Sequence, residues 1–234
     1  MTGYVHSLQS LGAVDGPGLR FTVFLQGCRL RCVFCHNPDT WEEKKGTAYT
    51  PEVLMEQILR YTSYFGEKGG VTVSGGEPLL QADFVSELFS LCRKNGIHTA
   101  LDTSGIGDLT LADKLLSFTD LVLCDLKFET EERYHEKCRA SLAQVCKFLA
   151  LTEEKKIPLW IRHVVIPNLT DSKEEIQQIA ALVRSYSNLE KIELLPFRKL
   201  CQSKYDAMGI PFPLSDIPEC KETRLVELKK ILEA

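Results

Sequence analysis

The chain has 234 residues, 44% of them hydrophobic and 26% charged, with a formal net charge of −4. That is chain enough for one domain with a sizeable core, and the acidic balance disfavours a nucleic-acid role. No apolar run reaches the ~18 residues of a membrane span, and "MTGYVHSLQSLGAVDGPG" has no basic segment followed by an apolar one, so a cytoplasmic protein without membrane contact is expected.

Along the chain, strand-like apolar runs alternate with helix-period segments. Asp15, in "GAVDGPG", reads first as a turn residue, because Asp, Gly and Pro all favour turns. A strand is predicted over 19–26, followed at once by Cys28, Cys32 and Cys35. A helix is expected over 50–65, with Thr50 as its cap, Pro51 at its first position and Val53, Leu54, Ile58 and Tyr61 along one stripe. Next come a strand over 70–76, a helix over 82–96 closed by Gly96, a strand over 98–103 and a short helix over 109–118. A strand over 121–127 leads into a long helical run over 134–156, open to a break. A strand over 159–167, a helix over 171–187 with acidic residues in its first turn, a strand over 191–197 and a helix from 221 complete the pattern.

Six strand–helix pairs rich in Val, Ile and Leu, apolar on both faces, predict an α/β fold with a parallel sheet covered by helices. Six units are too few for a closed eightfold barrel of ~250 residues. A partial (β/α)6 barrel, open on one side with helices outside, accommodates them as one domain over 1–234. Ligands in such folds sit at the C-terminal ends of the strands. There the sequence places Cys28, the run from Ser74 to Glu77, Asp102 and Thr103, Asp125 and Lys127, Arg162, and Arg198.

The chain has nine cysteines. Six of them, Cys92, Cys124, Cys138, Cys146, Cys201 and Cys220, are scattered and read as inert thiols. The other three form C-x3-C-x2-C. Thiolates suit zinc or an iron–sulfur cluster. Zinc would need a fourth ligand, and His36, beside Cys35, could reach the same ion only through a sharp backbone turn. A 4Fe–4S cluster with three protein ligands and one open iron is the remaining reading.

With Phe34 as the aromatic residue, this pattern resembles the signature of the radical S-adenosylmethionine (SAM) enzymes. "AVDGPGLRF", "CHNPDTW", "SGGEPLLQ", "LDTSG", "DLK", "WIRHVVIP" and "KIELLPF", in that order, resemble the glycyl-radical-enzyme activases, most closely the pyruvate formate-lyase-activating enzymes. The segment 39–53 contains no ferredoxin-like insert of the kind some activases carry, so a single cluster is expected.

The resemblance implies that a reduced cluster cleaves chelated SAM to methionine and a 5′-deoxyadenosyl radical, which takes an α-hydrogen from a glycine of a partner enzyme such as pyruvate formate-lyase. It further implies an electron donor such as flavodoxin and a monomeric activase. Cys28, Cys32 and Cys35 would hold the cluster, with Phe34, Cys35 and His36 near SAM. Gly75 and Gly76 would admit its ammonium, and Glu77 would pair with it. Asp102, Thr103 and Asp125 would hold a small monovalent cation. Leu126, Lys127 and Arg162 would contact SAM, with Arg162 on its carboxylate. Arg198 stands where the family places a His against SAM. Asp15 would lie beside the partner's peptide, which requires its glycine-rich loop to fold back over the strand ends. Read without the resemblance, Asp102 is a helix cap, Lys127 an ion-pair partner and Arg162 the structural mate of a strand-end Asp. His163 is a core residue on either reading. A radical SAM enzyme acting on a small molecule and a non-catalytic iron–sulfur electron carrier are the alternatives.

Overall fold

The computed structural model describes residues 1–233. One sheet contains β1 (Gly3–Gly12), β2 (Arg20–Leu25), β3 (Thr47–Tyr49), β4 (Gly70–Gly75), β5 (His98–Thr103), β6 (Leu121–Asp125), β7 (Leu159–Val165) and β8 (Leu189–Pro196). Their order is β3-β1-β2-β4-β5-β6-β7-β8, so the sheet has two free edges. From β2 to β8 all neighbours are parallel, which makes the six strands read from the sequence. The first and third strands were not expected. β1 pairs antiparallel with both β2 and β3 and extends the sheet on one side.

The helices are α1 (Pro51–Leu59), α2 (Thr62–Phe65), α3 (Ala82–Lys94), α4 (Leu109–Leu116), α5 (Glu131–Cys138), α6 (Leu142–Glu154), α7 (Lys173–Val183), α8 (Gln202–Met208) and α9 (Glu222–Glu233). Thr50 caps α1 by accepting from Val53 N, but the helix ends at Leu59 and α2 is a separate turn. Leu54, Met55 and Ile58 carry its buried face, whereas Val53 is exposed. The long run over 134–156 is broken. Arg139 takes a left-handed conformation (φ 53°) after α5, and Ser141 caps α6 through Gln144 N. A reciprocal Ser172–Glu175 capping box starts α7.

The expectation of strands apolar on both faces holds on one face only. Val23, Leu25, Val71, Val73, Leu101, Val122, Cys124, Ile161 and Val165 join the main hydrophobic core with the helices. The other face carries Thr22, Thr72, Ser74, Asp102, Asp125 and Arg162 around a small apolar cluster of Ala100, Leu121, Leu123 and Trp160. That face stays apart from the helix-packed core, and polar side chains there meet one another.

Arg20 occupies the N-terminal end of this face. Its side chain is fully buried and donates to Thr72 Oγ1 and Val71 O, both at 2.6 Å, and to Pro17 O at 3.1 Å. Burial lowers its pKa to about 10 against the pull of Asp120 and Asp15. The loop carrying Asp15 is the β1–β2 hairpin turn, and it does not fold back over the strand ends. Asp15 O accepts from Thr72 Oγ1 (2.7 Å), and its Oδ2 accepts from Thr22 Oγ1 (3.2 Å). The loop packs at that end of the face, where these threonines offer its polar groups partners.

Candidate active site

The cysteine loop leaves the end of β2. It is stapled on one side by Gly27 N to Thr40 O (2.7 Å) and Cys28 N to Trp41 O (3.3 Å). On the other side it is held by Arg31 N to Cys138 O (2.8 Å) and Val33 N to Lys137 O (2.9 Å). These bonds turn Cys28, Cys32 and Cys35 into one partly exposed group. Burial pushes the Cys28 thiol up to about 12 and the Cys35 thiol up to about 11, and each raises its neighbours further.

Thiols so reluctant to ionise on their own suit a metal core, whose charge deprotonates a coordinating thiol outright. Trp41 supplies a second sign. Its indole Nε1 is buried beside Cys35 without a well-aligned acceptor, and a buried indole N–H normally has one. A thiolate or sulfide acceptor there would satisfy it. Among the described residues no three His, Cys, Asp or Glu side chains converge closely enough for a single metal ion. The cysteines therefore do not form a compact mononuclear site.

Next to the loop, the ends of β5, β6 and β7 bring four charged residues together. Lys127 Nζ is 2.7 Å from Asp125 Oδ2. Arg162 Nη1 is 3.2 Å from Asp102 Oδ2, and its Nε is 3.7 Å from Asp125 Oδ1. Ser74 Oγ donates to Asp102 Oδ2 at 2.7 Å. Burial raises the Asp102 carboxyl. It also raises that of Asp125, but there Lys127 and Arg162 outweigh burial and hold the group below its usual range. The pull of Asp102 raises Arg162. Both Arg162 Nε and Nη1 are buried yet lack an aligned hydrogen bond. A planar cation held by charge, with no aligned hydrogen bond to either carboxylate, suits a carboxylate ligand. Lys127 also acts on Cys32, which links this cluster to the cysteine loop.

Other expected residues are occupied differently. Glu77 is buried and accepts four hydrogen bonds, from Leu79 N (3.0 Å), Thr103 Oγ1 (2.5 Å), Ser104 N (2.9 Å) and Ser104 Oγ (2.5 Å). A carboxylate has about four acceptor sites, so it is saturated. Glu77 is a brace between the loops after β4 and β5. The glycines before it are small for a related reason. A Cβ on Gly75 would strike the backbone of Leu25, and one on Gly76 would strike Gly27 O. Gly75 also has φ 104°, a conformation that suits glycine.

Thr103 is committed to Glu77, Asp102 to Ser74 and Arg162, and Asp125 to Lys127, so the expected cation ligands do not converge. Phe34 is buried edge-on against Phe128, with Lys127 over its ring, and offers no free face for stacking. His36 Nε2 lies 2.8 Å from Arg198 O and so ties the cysteine loop to the end of β8, while burial lowers its pKa. The Arg198 guanidinium donates through Nη1 to Cys220 O at 2.6 Å. Leu126 is buried, and its carbonyl lies 2.8 Å from Nδ1 of His163, a buried residue on the helix-facing side as expected.

The radical SAM superfamily model matches residues 22–183. A pyruvate formate-lyase-activating enzyme of Clostridium pasteurianum is 43% identical over 234 residues, covering 99% of this chain and 97% of that protein. The chain belongs to the radical SAM superfamily, in the family of the pyruvate formate-lyase-activating enzymes. The pyruvate formate-lyase 1-activating enzyme of Escherichia coli K12 is 41% identical, covering 99% and 95%. In fold, the chain is similar to a radical SAM methyltransferase from Sphaerobacter thermophilus, with TM-score 0.68 at 16% identity over 92% of this chain and 63% of that one. Radical SAM membership makes sense of C-x3-C-x2-C at the mouth of a half-open barrel. Trp41 and Cys138 belong to the same surroundings but were not foreseen as site residues, whereas Ser74 and Ser104 were read at the strand ends without a role. Only Trp41 left a sequence signal, an aromatic donor inside "CHNPDTW".

Proposed function

We propose that this protein is a radical SAM activase that installs a glycyl radical on a partner enzyme, pyruvate formate-lyase. The observation that carries the reading is the three-thiol loop joined through Lys127 and Asp125 to a buried arginine that is held by ion pairs and by no aligned hydrogen bond. Cys28, Cys32 and Cys35 would hold a 4Fe–4S cluster. Arg162 would bind the SAM carboxylate, with Asp102 and Asp125 keeping its guanidinium in place. The ammonium would fall to backbone groups around Gly75 and Gly76, since Glu77 is already engaged. When bound, the cluster and SAM supply the one-electron cleavage that yields methionine and a 5′-deoxyadenosyl radical, which takes the glycine α-hydrogen.

The chain's own contribution is to orient and to exclude water. Lys127 and Arg162 offset the negative charge gathered at the strand ends. Arg20 fills the N-terminal end of the polar face, and the free sheet edge leaves room for a partner's loop to enter. Asp15 would reach that loop only by leaving Thr22 and Thr72, since its turn lies at the other end of the strands from Asp102 and Arg162, whose charges it influences. A monovalent cation would require Asp102, Thr103 and Asp125 to give up present partners when SAM arrives. We further propose one domain acting as a monomer in the cytoplasm, with flavodoxin or a similar one-electron donor. Among the described residues no helix is long and apolar enough to cross a membrane.

The test is anaerobic. Reconstituted protein should carry about four irons per chain. With reductant, SAM and pyruvate formate-lyase, it should give the paramagnetic resonance signal of a glycyl radical. Replacing any of Cys28, Cys32 or Cys35 by Ala should abolish both, whereas Cys92→Ala and Cys146→Ala should not. SAM cleavage without a glycyl radical would favour a small-molecule substrate. Reversible reduction without SAM cleavage would favour an electron carrier.

A further inference from the structure

Cys138 reads from the sequence as an inert thiol, but the fold sets it against a cluster cysteine. It is the last residue of α5 and is fully buried. The two hydrogen bonds from Arg31 N to Cys138 O and from Val33 N to Lys137 O bracket Cys32 on both sides. Backbones joined by such a bracket run about 5 Å apart, as adjoining strands do. A disulfide needs its Cα atoms roughly 4.4–6.8 Å apart. The side chains meet as well, since Cys138 is within hydrogen-bonding reach of the Cys32 thiol. Cys35, the other near thiol, faces Trp41 instead. As a residue Cys32 is partly exposed, whereas Cys138 is fully buried.

We propose that Cys32 and Cys138 form an oxidisable pair, joined as a disulfide in cluster-free protein and reopened by thiols before a cluster is inserted. The inference rests on Cys32 being a cluster ligand. The oxidant is a small disulfide such as oxidised glutathione. Cys32 sulfur attacks it, one glutathione leaves as a thiol, and a mixed disulfide forms. Cys138 sulfur then attacks Cys32 and expels the second glutathione thiol. The two cysteines lose two electrons and two protons, and oxidised glutathione takes up both. The consequence is protective. A ligand thiol stripped of its cluster is held in a reversible state instead of advancing to sulfinic acid. The same bond keeps Cys32 from iron until reduction.

Full-length cluster-free protein is incubated with oxidised glutathione, its free thiols are alkylated, and unreduced peptides are mapped by mass spectrometry. A peptide pair joined through Cys32 and Cys138 is expected. Acquisition of iron from a cluster-loaded scaffold protein should then fall about tenfold and return after dithiothreitol. Cys138→Ala should acquire iron equally with and without the oxidant. A bond from Cys32 to Cys28 or Cys35 in place of the predicted one, or an alkylated Cys138, overturns the pairing on wild-type protein alone. A Cys32–Cys138 bond that leaves iron acquisition unchanged overturns the lock and, separately from the pairing, the ligand role of Cys32.

Discussion

Glu77 offers the sharpest division between a ligand contact and a brace. Glu77→Ala leaves Leu79 N and Ser104 N buried without an acceptor, while the hydroxyls of Thr103 and Ser104 can rotate. A buried donor left unsatisfied costs about 1–3 kcal/mol, so about 3–5 kcal/mol is expected in all. For a chain of this size each kcal/mol moves Tm by about 2–4 °C, giving a fall of about 10 °C. Glu77→Gln keeps one acceptor oxygen but turns an NH2 against a donor, for about 1–3 kcal/mol.

The sign of the pH effect follows from burial, which raises the Glu77 carboxyl above 4.5. The folded protein then holds this proton where the unfolded chain has released it. The contribution of Glu77 is therefore complete below 4.5 and is lost as pH rises through the raised value. The deficit of Glu77→Gln should be largest in acid and narrow on the way to neutrality. Calorimetry of cluster-free protein measures stability, and equilibrium dialysis of reconstituted protein measures SAM affinity. If Glu77→Gln leaves Tm unchanged while SAM affinity falls about tenfold or more, worth ~1.4 kcal/mol, the bracing argument is wrong and the carboxylate serves the ligand.

Arg198→Ala should lose about 1 kcal/mol of stability with its bond to Cys220 and leave SAM affinity within about twofold; calorimetry and anaerobic dialysis read the two separately. Asp125 is held below 3.8, so its contribution is complete above that pH and lost as pH falls through its lowered value. Asp125→Asn should accordingly flatten the acid limb of the unfolding curve, measured by circular dichroism. Asp15→Ala should bind SAM and cleave it slowly under strong reductant, yet activate pyruvate formate-lyase with a higher apparent KM. Wild-type activation by that variant would reduce Asp15 to the turn residue its sequence first suggests.

The sequence by itself determined the six parallel strands, most helix starts and the identity of the thiol loop. These are local matters: β-branched runs, caps such as Thr50 and Ser172, and three cysteines within eight residues act on their near neighbours. It also placed Asp102, Asp125, Lys127 and Arg162 at one end of the sheet, because parallel strands must all finish on the same side. What each strand-end side chain does was decided only by tertiary structure. Glu77 was drawn to Ser104 and Thr103, Arg198 to Cys220 and Asp15 to Thr22, because a buried polar group takes whichever partner the fold brings within reach. Those partners lie 27, 26, 22 and 7 residues away in sequence. β1 was hidden by the turn-rich text that follows it, and β3, at three residues, was too short to carry a pattern. Cys138 shows the same limit. Its spacing says nothing about Cys32, and only the docking of α5 against the cysteine loop turns an isolated thiol into half of a pair.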